Sequence, residues 1–110
     1  MDIDVSKLPT TSKFKVDRLF VTVYPLGELH KASFQGFAKS ISSQDRSGPF
    51  DILPTHENFI TQFTNKLEIV TEAGEKIGFP KPSGVIEVAN NAVKIFLKEA
   101  SEAEKVGRAG

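Results

Sequence analysis

The chain holds two histidines, His30 and His56, and no cysteine. An imidazole can donate or accept a hydrogen bond or move a proton, but catalysis needs a substrate and a second group that orients the ring. His56 stands in the run Leu53-Pro54-Thr55-His56, and no His-x-x-x-His spacing accompanies it. A triad or a zinc set therefore lacks partners. Asp45, Arg46 and Asp51 form a small charge cluster, and their setting suits a solvated loop better than a pair of catalytic carboxylates. Phosphate-cradling glycine loops and nucleophile elbows are absent. Without cysteine, disulfides, thiolate metal sites and cysteine nucleophiles are excluded. His56 is read as an interface contact in preference to a loop histidine that only orders the turn after Pro54, with no catalytic role. No metal and no cofactor is implied.

The rest of the chain must hold that loop in place. At 110 residues it fits one domain. Apolar residues make up 39% of it, with 9 Phe, 1 Tyr and no Trp. A core of Phe, Val, Ile and Leu suits a small β protein. Lys plus Arg and Asp plus Glu each number 14, for a net charge of zero. Nucleic acid as the main partner would need a basic excess or a basic face, and a polybasic membrane anchor would need a cationic cluster. No apolar run approaches the ~20 residues that span a bilayer. The opening Met1-Asp2-Ile3-Asp4 is acidic before it is apolar, unlike a signal peptide.

Residues 1–13 read as a flexible lead-in and 14–100 as the domain, with a short polar tail over 101–110. In Leu19-Phe20-Val21-Thr22-Val23-Tyr24, alternate residues separate into two faces, and Pro25 ends the strand. Short segments follow around Phe34 and from Phe37 to Ile41. Residues 42–48 have almost no apolar content and read as a solvent loop. Phe50-Asp51-Ile52-Leu53 stops at Pro54. Phe59 and Phe63 fit either one helical turn or a short strand. Leu67–Thr71 and Lys76–Phe79 read as strands around a turn at Glu72–Glu75. Val85–Val88 and Val93–Leu97 read as a hairpin turning at Asn90-Asn91, because Asn tolerates positive φ. Across that hairpin Ile86 and Val88 face Val93 and Ile95, and Glu87 faces Lys94. Residues 98–106 have a helix-favouring composition long enough for about two turns.

Two blocks resemble a known family. In residues 34–63, Phe34, Gly36, Gly48, Ile52, Leu53, Pro54 and His56 follow the order of the ATP synthase epsilon subunit's β-sandwich domain. In residues 83–100, Gly84, Ile86, Glu87, Val88, Asn91, Val93 and Ile95 are similar to its Gly-x-Leu-Glu-Val-x-x-Asn-x-Val-x-Val stretch. The resemblance spans roughly residues 18–100 in matching order and spacing. It implies an all-β fold: a flattened sandwich of about eight to ten short, mostly antiparallel strands, with at most a short C-terminal helix. It also implies a non-catalytic rotor subunit between the gamma subunit and the c ring, monomeric when isolated. The expected location is the cytoplasmic face of a bacterial plasma membrane, peripheral through the complex, rather than an organellar inner membrane.

By that resemblance Gly48, Pro49, Asp51, Pro54 and His56 face the c ring. His56, Phe59, Ile60, Thr61 and Phe63 face gamma, with one of the two Phe residues in the core. Departures accompany the match. Pro49 stands at a position often acidic in the family, and Thr55 replaces the glycine of Pro-Gly-His. The helical hairpin that inhibits hydrolysis, and in some bacteria binds ATP, has no counterpart before Gly110, so those activities do not transfer. Two other readings stay open. One is a free-standing β-sandwich that binds a protein or a carbohydrate, the latter disfavoured by the lack of Trp. The other is a hydrolase built on His56 and an unrecognised acid.

Overall fold

The computed structural model describes residues 18–27, 32–80 and 82–98 in full, and the backbone of 104–108. The expected lead-in over 1–13 lies outside the described residues, as does His30.

Alternation of apolar and polar residues writes the strands. In β1 (Leu19–Tyr24), Leu19, Val21 and Val23 are fully buried and Phe20 turns outward. β7 (Ser83–Ala89) and β8 (Ala92–Leu97) repeat the rule with Ile86 and Val88 facing Val93 and Ile95. Between them Asn90 and Asn91 take φ of 51° and 68°, which closes the two-residue type I′ turn expected of that pair. Glu87 and Lys94 are cross-strand partners in the same register.

The expected all-β sandwich is what forms. The described strands belong to one curled sheet in the order β4-β7-β8-β1-β2-β5-β6-β9, with β3 beside β2. The remaining strands are β2 (Phe34–Asp45), β3 (Gly48–Ile52), β4 (Phe59–Thr64), β5 (Leu67–Thr71), β6 (Glu75–Gly78) and β9 (Glu104–Arg108). Every pairing is antiparallel except β1 with β8. Among the described residues no helix is long and apolar enough to cross a membrane.

Three segments differ from the sequence reading. The two short pieces around Phe34 and Phe37–Ile41 are one strand of 12 residues. Its register slips between Ala38 and Ser40, so the inward positions change parity from Ala38 to Ile41 and Ser43. The slip lets β2 pair with β1 through Phe34–Ala38 and with β3 through Ile41–Asp45. The expected solvent loop over 42–48 shrinks to a turn at Arg46-Ser47. Its polar side chains bond to protein: Ser42 Oγ donates to Asp51 at 2.7 Å, and Asp45 accepts from the Ser47 amide at 2.8 Å. The end of the helix-favouring stretch, from Glu104, lies in β9, which pairs with β6. Propensity differences of a few tenths of a kcal/mol per residue yield to an open strand edge with unpaired amides.

Ser43 is fully buried, and its hydroxyl donates to the Lys66 carbonyl at 2.6 Å. Ser43→Ala leaves that carbonyl without its donor. We expect a loss of about 1–2 kcal/mol, read as a lower urea midpoint at unchanged m-value.

Candidate functional site

The segment from β3 through β4 carries every residue expected at an interface. β3 follows the Arg46-Ser47 turn and pairs with β2, the loop Leu53–Asn58 leads away from it, and β4 pairs with β7. Phe50 of β3 meets Phe59 of β4 edge to face at 5.9 Å, and Thr61 Oγ1 donates to Asp45 at 2.9 Å. These contacts draw the start of β4 against the β2–β3 hairpin.

The loop opens with a tight turn. The His56 amide donates to the Leu53 carbonyl at 3.0 Å, Pro54 holds the second position and Thr55 the third with φ of 70°. Proline followed by a positive φ is the type II pattern, which normally takes glycine where Thr55 stands. Thr55 thus takes a left-handed conformation at a steric cost of about 1–2 kcal/mol for a residue with a Cβ. The Thr55 hydroxyl also donates to the Pro54 carbonyl.

Two asparagines tie this loop to the β7–β8 turn. Asn91 Oδ1 accepts from the Thr55 amide at 2.6 Å. Reciprocally, Asn58 Oδ1 accepts from the Asn90 amide at 2.8 Å. The Asn91 carbonyl accepts from the Phe20 amide at 2.8 Å, so the turn is itself fastened to β1. The His56 ring lies 4.9 Å from the Phe59 ring, and its Nδ1 bonds the Glu57 carbonyl at 2.8 Å. A carbonyl can only accept, so Nδ1 is the donor in this contact.

The expected contact residues separate by strand parity. Ile60 points outward and is 66% exposed; Pro49 and Asp51 are exposed, while Gly48, Pro54 and His56 are half-buried. Phe59 and Thr61 are half-buried on the inward side. Phe63 corrects its assignment to the gamma-facing set: it is 2% exposed and belongs to the core, because the fifth residue of β4 points inward. Phe59 packs against that core from its rim, so of the two rings Phe63 is the core member. Leu53, left out of the expected set, is 53% exposed. Its signal was available, since Ile52 before it is inward. Asn58 and Asn91 were also missed as loop anchors.

Among the described residues no group of three or more His, Cys, Asp or Glu is placed to hold a metal. A cleft of about 170 Å³ lies between the β4–β5 turn and the end of β6, lined by Asn65, Lys66, Leu67, Glu68, Gly78, Phe79 and Pro80. It shares no residue with the loop.

Residues 29–103 match the family described as ATP synthase, Delta/Epsilon chain, beta-sandwich domain. Among solved structures, the chain is similar to a chain in the cryo-EM structure of the Euglena gracilis mitochondrial ATP synthase, OSCP/F1/c-ring in rotational state 1. The TM-score is 0.64 at 19% identity, covering 96% of this chain and 68% of that one. A comparison with the curated proteins finds no match.

Proposed function

The chain belongs to the delta/epsilon family of ATP synthase chains through its β-sandwich domain, and from that premise we propose that it is a non-catalytic subunit of the central stalk, linking the gamma subunit to the c ring. The family match across residues 29–103 carries this reading. The geometry supports it by offering a stiff body with one anchored loop. A part that transmits torque must resist shear, and the nine described strands, hydrogen-bonded into one curled sheet, do so through their backbone.

In this reading Gly48, Pro49, Asp51, Pro54 and His56 meet the ring, and His56, Phe59, Ile60 and Thr61 meet gamma. Pro49 and Pro54 restrict their backbones before docking, which reduces the entropy lost on binding. A contact that survives rotation needs a joint interface of roughly 1,600 Å² or more. The subunit is peripheral to the membrane through the complex, and the reading holds for a bacterial plasma membrane or an organellar inner membrane alike.

The test is association with a gamma–c-ring preparation stripped of this subunit. The chain should co-migrate with it and restore coupling of proton flow to ATP synthesis. Ile60→Asp changes an exposed side chain, so stability should stay within about 0.5 kcal/mol. Association should weaken at least tenfold, roughly the cost of an interface residue worth more than 1 kcal/mol. A wild-type chain that never co-migrates ends the proposal.

A further inference from the structure

We infer that Asn91 and Asn58 are positioning residues, which hold the Leu53–His56 turn in its docking shape from the β7–β8 hairpin. The inference rests on the rotor reading for its consequence and on hydrogen-bond geometry for its cause. Three residues with positive φ meet at this point: Thr55 at 70°, Asn90 at 51° and Asn91 at 68°. Asn is at home there, whereas Thr is not, since its Cβ crowds the backbone in the left-handed region. An isolated turn with Thr at that position would favour other shapes. The Thr55 amide is therefore the group whose orientation needs an external partner, and Asn91 Oδ1 provides one at 2.6 Å. The Asn58 bond to the Asn90 amide fixes the other end of the loop to the same turn.

The hairpin is a firm anchor. Val88 and Val93, the second pair from the turn, are each 1% exposed, and the Asn91 carbonyl is bonded to β1. Pro54 and His56 are thus referred to the central strands by two side-chain amides, even though 36 residues separate Thr55 from Asn91. Glycine in place of Thr55 would hold the turn by its own freedom. With Thr55, the holding is transferred to Asn91.

The variants are Asn91→Gly, Asn58→Ala and the double change Asn91→Gly with Thr55→Gly, all in the full chain. Asn-Gly is the preferred type I′ pair, so Asn91→Gly removes the amide while keeping the hairpin. Thermal stability should be unchanged, and exchange of the Thr55 amide should accelerate about threefold to tenfold, the usual scale for one lost hydrogen bond. Exchange at Val21 and Ile95 should not move. Association with the stripped gamma–c-ring preparation should weaken by a similar factor in both single variants. The double variant should recover binding to within about twofold, because glycine takes the left-handed turn unaided.

Unchanged Thr55 exchange in Asn91→Gly overturns the clasp, whatever the chain binds. Faster exchange with undiminished binding shows that the clasp does not position the interface, which also overturns the inference. A wild-type chain that does not bind the preparation overturns the rotor reading and the docking consequence with it. The exchange measurement then still reports on the clasp, so the two failures are distinguishable.

Discussion

Gly84→Ala is expected to cost at least about 3 kcal/mol and to leave much of the chain unfolded at room temperature, given the few kcal/mol by which small domains are stable. Gly84 has φ of 157° and pairs with Phe63 on β4 and Leu97 on β8. A Cβ built there would lie 2.0 Å from the Phe96 carbonyl oxygen and 2.9 Å from its carbon. Both atoms are backbone, held by the β7–β8 ladder, so they cannot swing away as the end of a side chain would. Relief requires parting two central strands. Gly27→Ala is the control: φ there is 75° and a Cβ would meet nothing within 4 Å. Its cost should be only that of the left-handed conformation, about 1 kcal/mol. Urea unfolding of both variants separates the terms. Equal losses would show that conformation alone explains Gly84 and that the strands can give.

Gly84 also shows how the sequence could be read. Its place at the head of Gly-x-x-Glu-Val was visible as a pattern, but the reason for glycine was not, because the atoms it must clear belong to a strand 12 residues further on. The hairpin itself was legible: Asn90-Asn91 between alternating apolar runs leaves few alternatives. Phe59 and Phe63 were ambiguous because four-residue spacing fits both periods. Pairing of Phe59–Thr64 with Val88–Ser83 decides for a strand. The polar run at 42–48 reads as a solvent loop because composition cannot distinguish serine bonded to water from serine bonded to protein. Ser43, fully buried on a carbonyl, is the case in point. The stretch after Lys98 carries helix-favouring residues, yet β9 forms because β6 has an edge to pair. At the candidate site, position along the chain was legible and orientation only partly so. Strand parity separates Ile60 from Phe63, but it could be counted only once residues 59–64 were known to be a strand. The asparagine clasp left no local signature, since its bonds join residues 32 and 36 apart.

Ile95→Ala should lower stability by about 3–4 kcal/mol, within the range for a buried isoleucine truncated to alanine. Ile95 is fully buried and lies in register with Ile86 on one side and Val23 on the other, both fully buried themselves. The two strands that flank it, β7 and β1, are each bonded to β8 by continuous backbone pairing, so the walls cannot close over the lost methyl groups. Ile95 is a core residue and not one of the proposed interface residues, and this makes the variant informative about function. If the domain acts as a rigid body, docking should require only that it be folded. Binding to the stripped gamma–c-ring preparation, corrected for the folded fraction at each urea concentration, should then match the wild type. A loss below about 1 kcal/mol would mean the core relaxes around the gap. Normal folding with weakened docking would mean that the interface depends on fine adjustment of the core, and the view of the sandwich as a stiff wedge would fail.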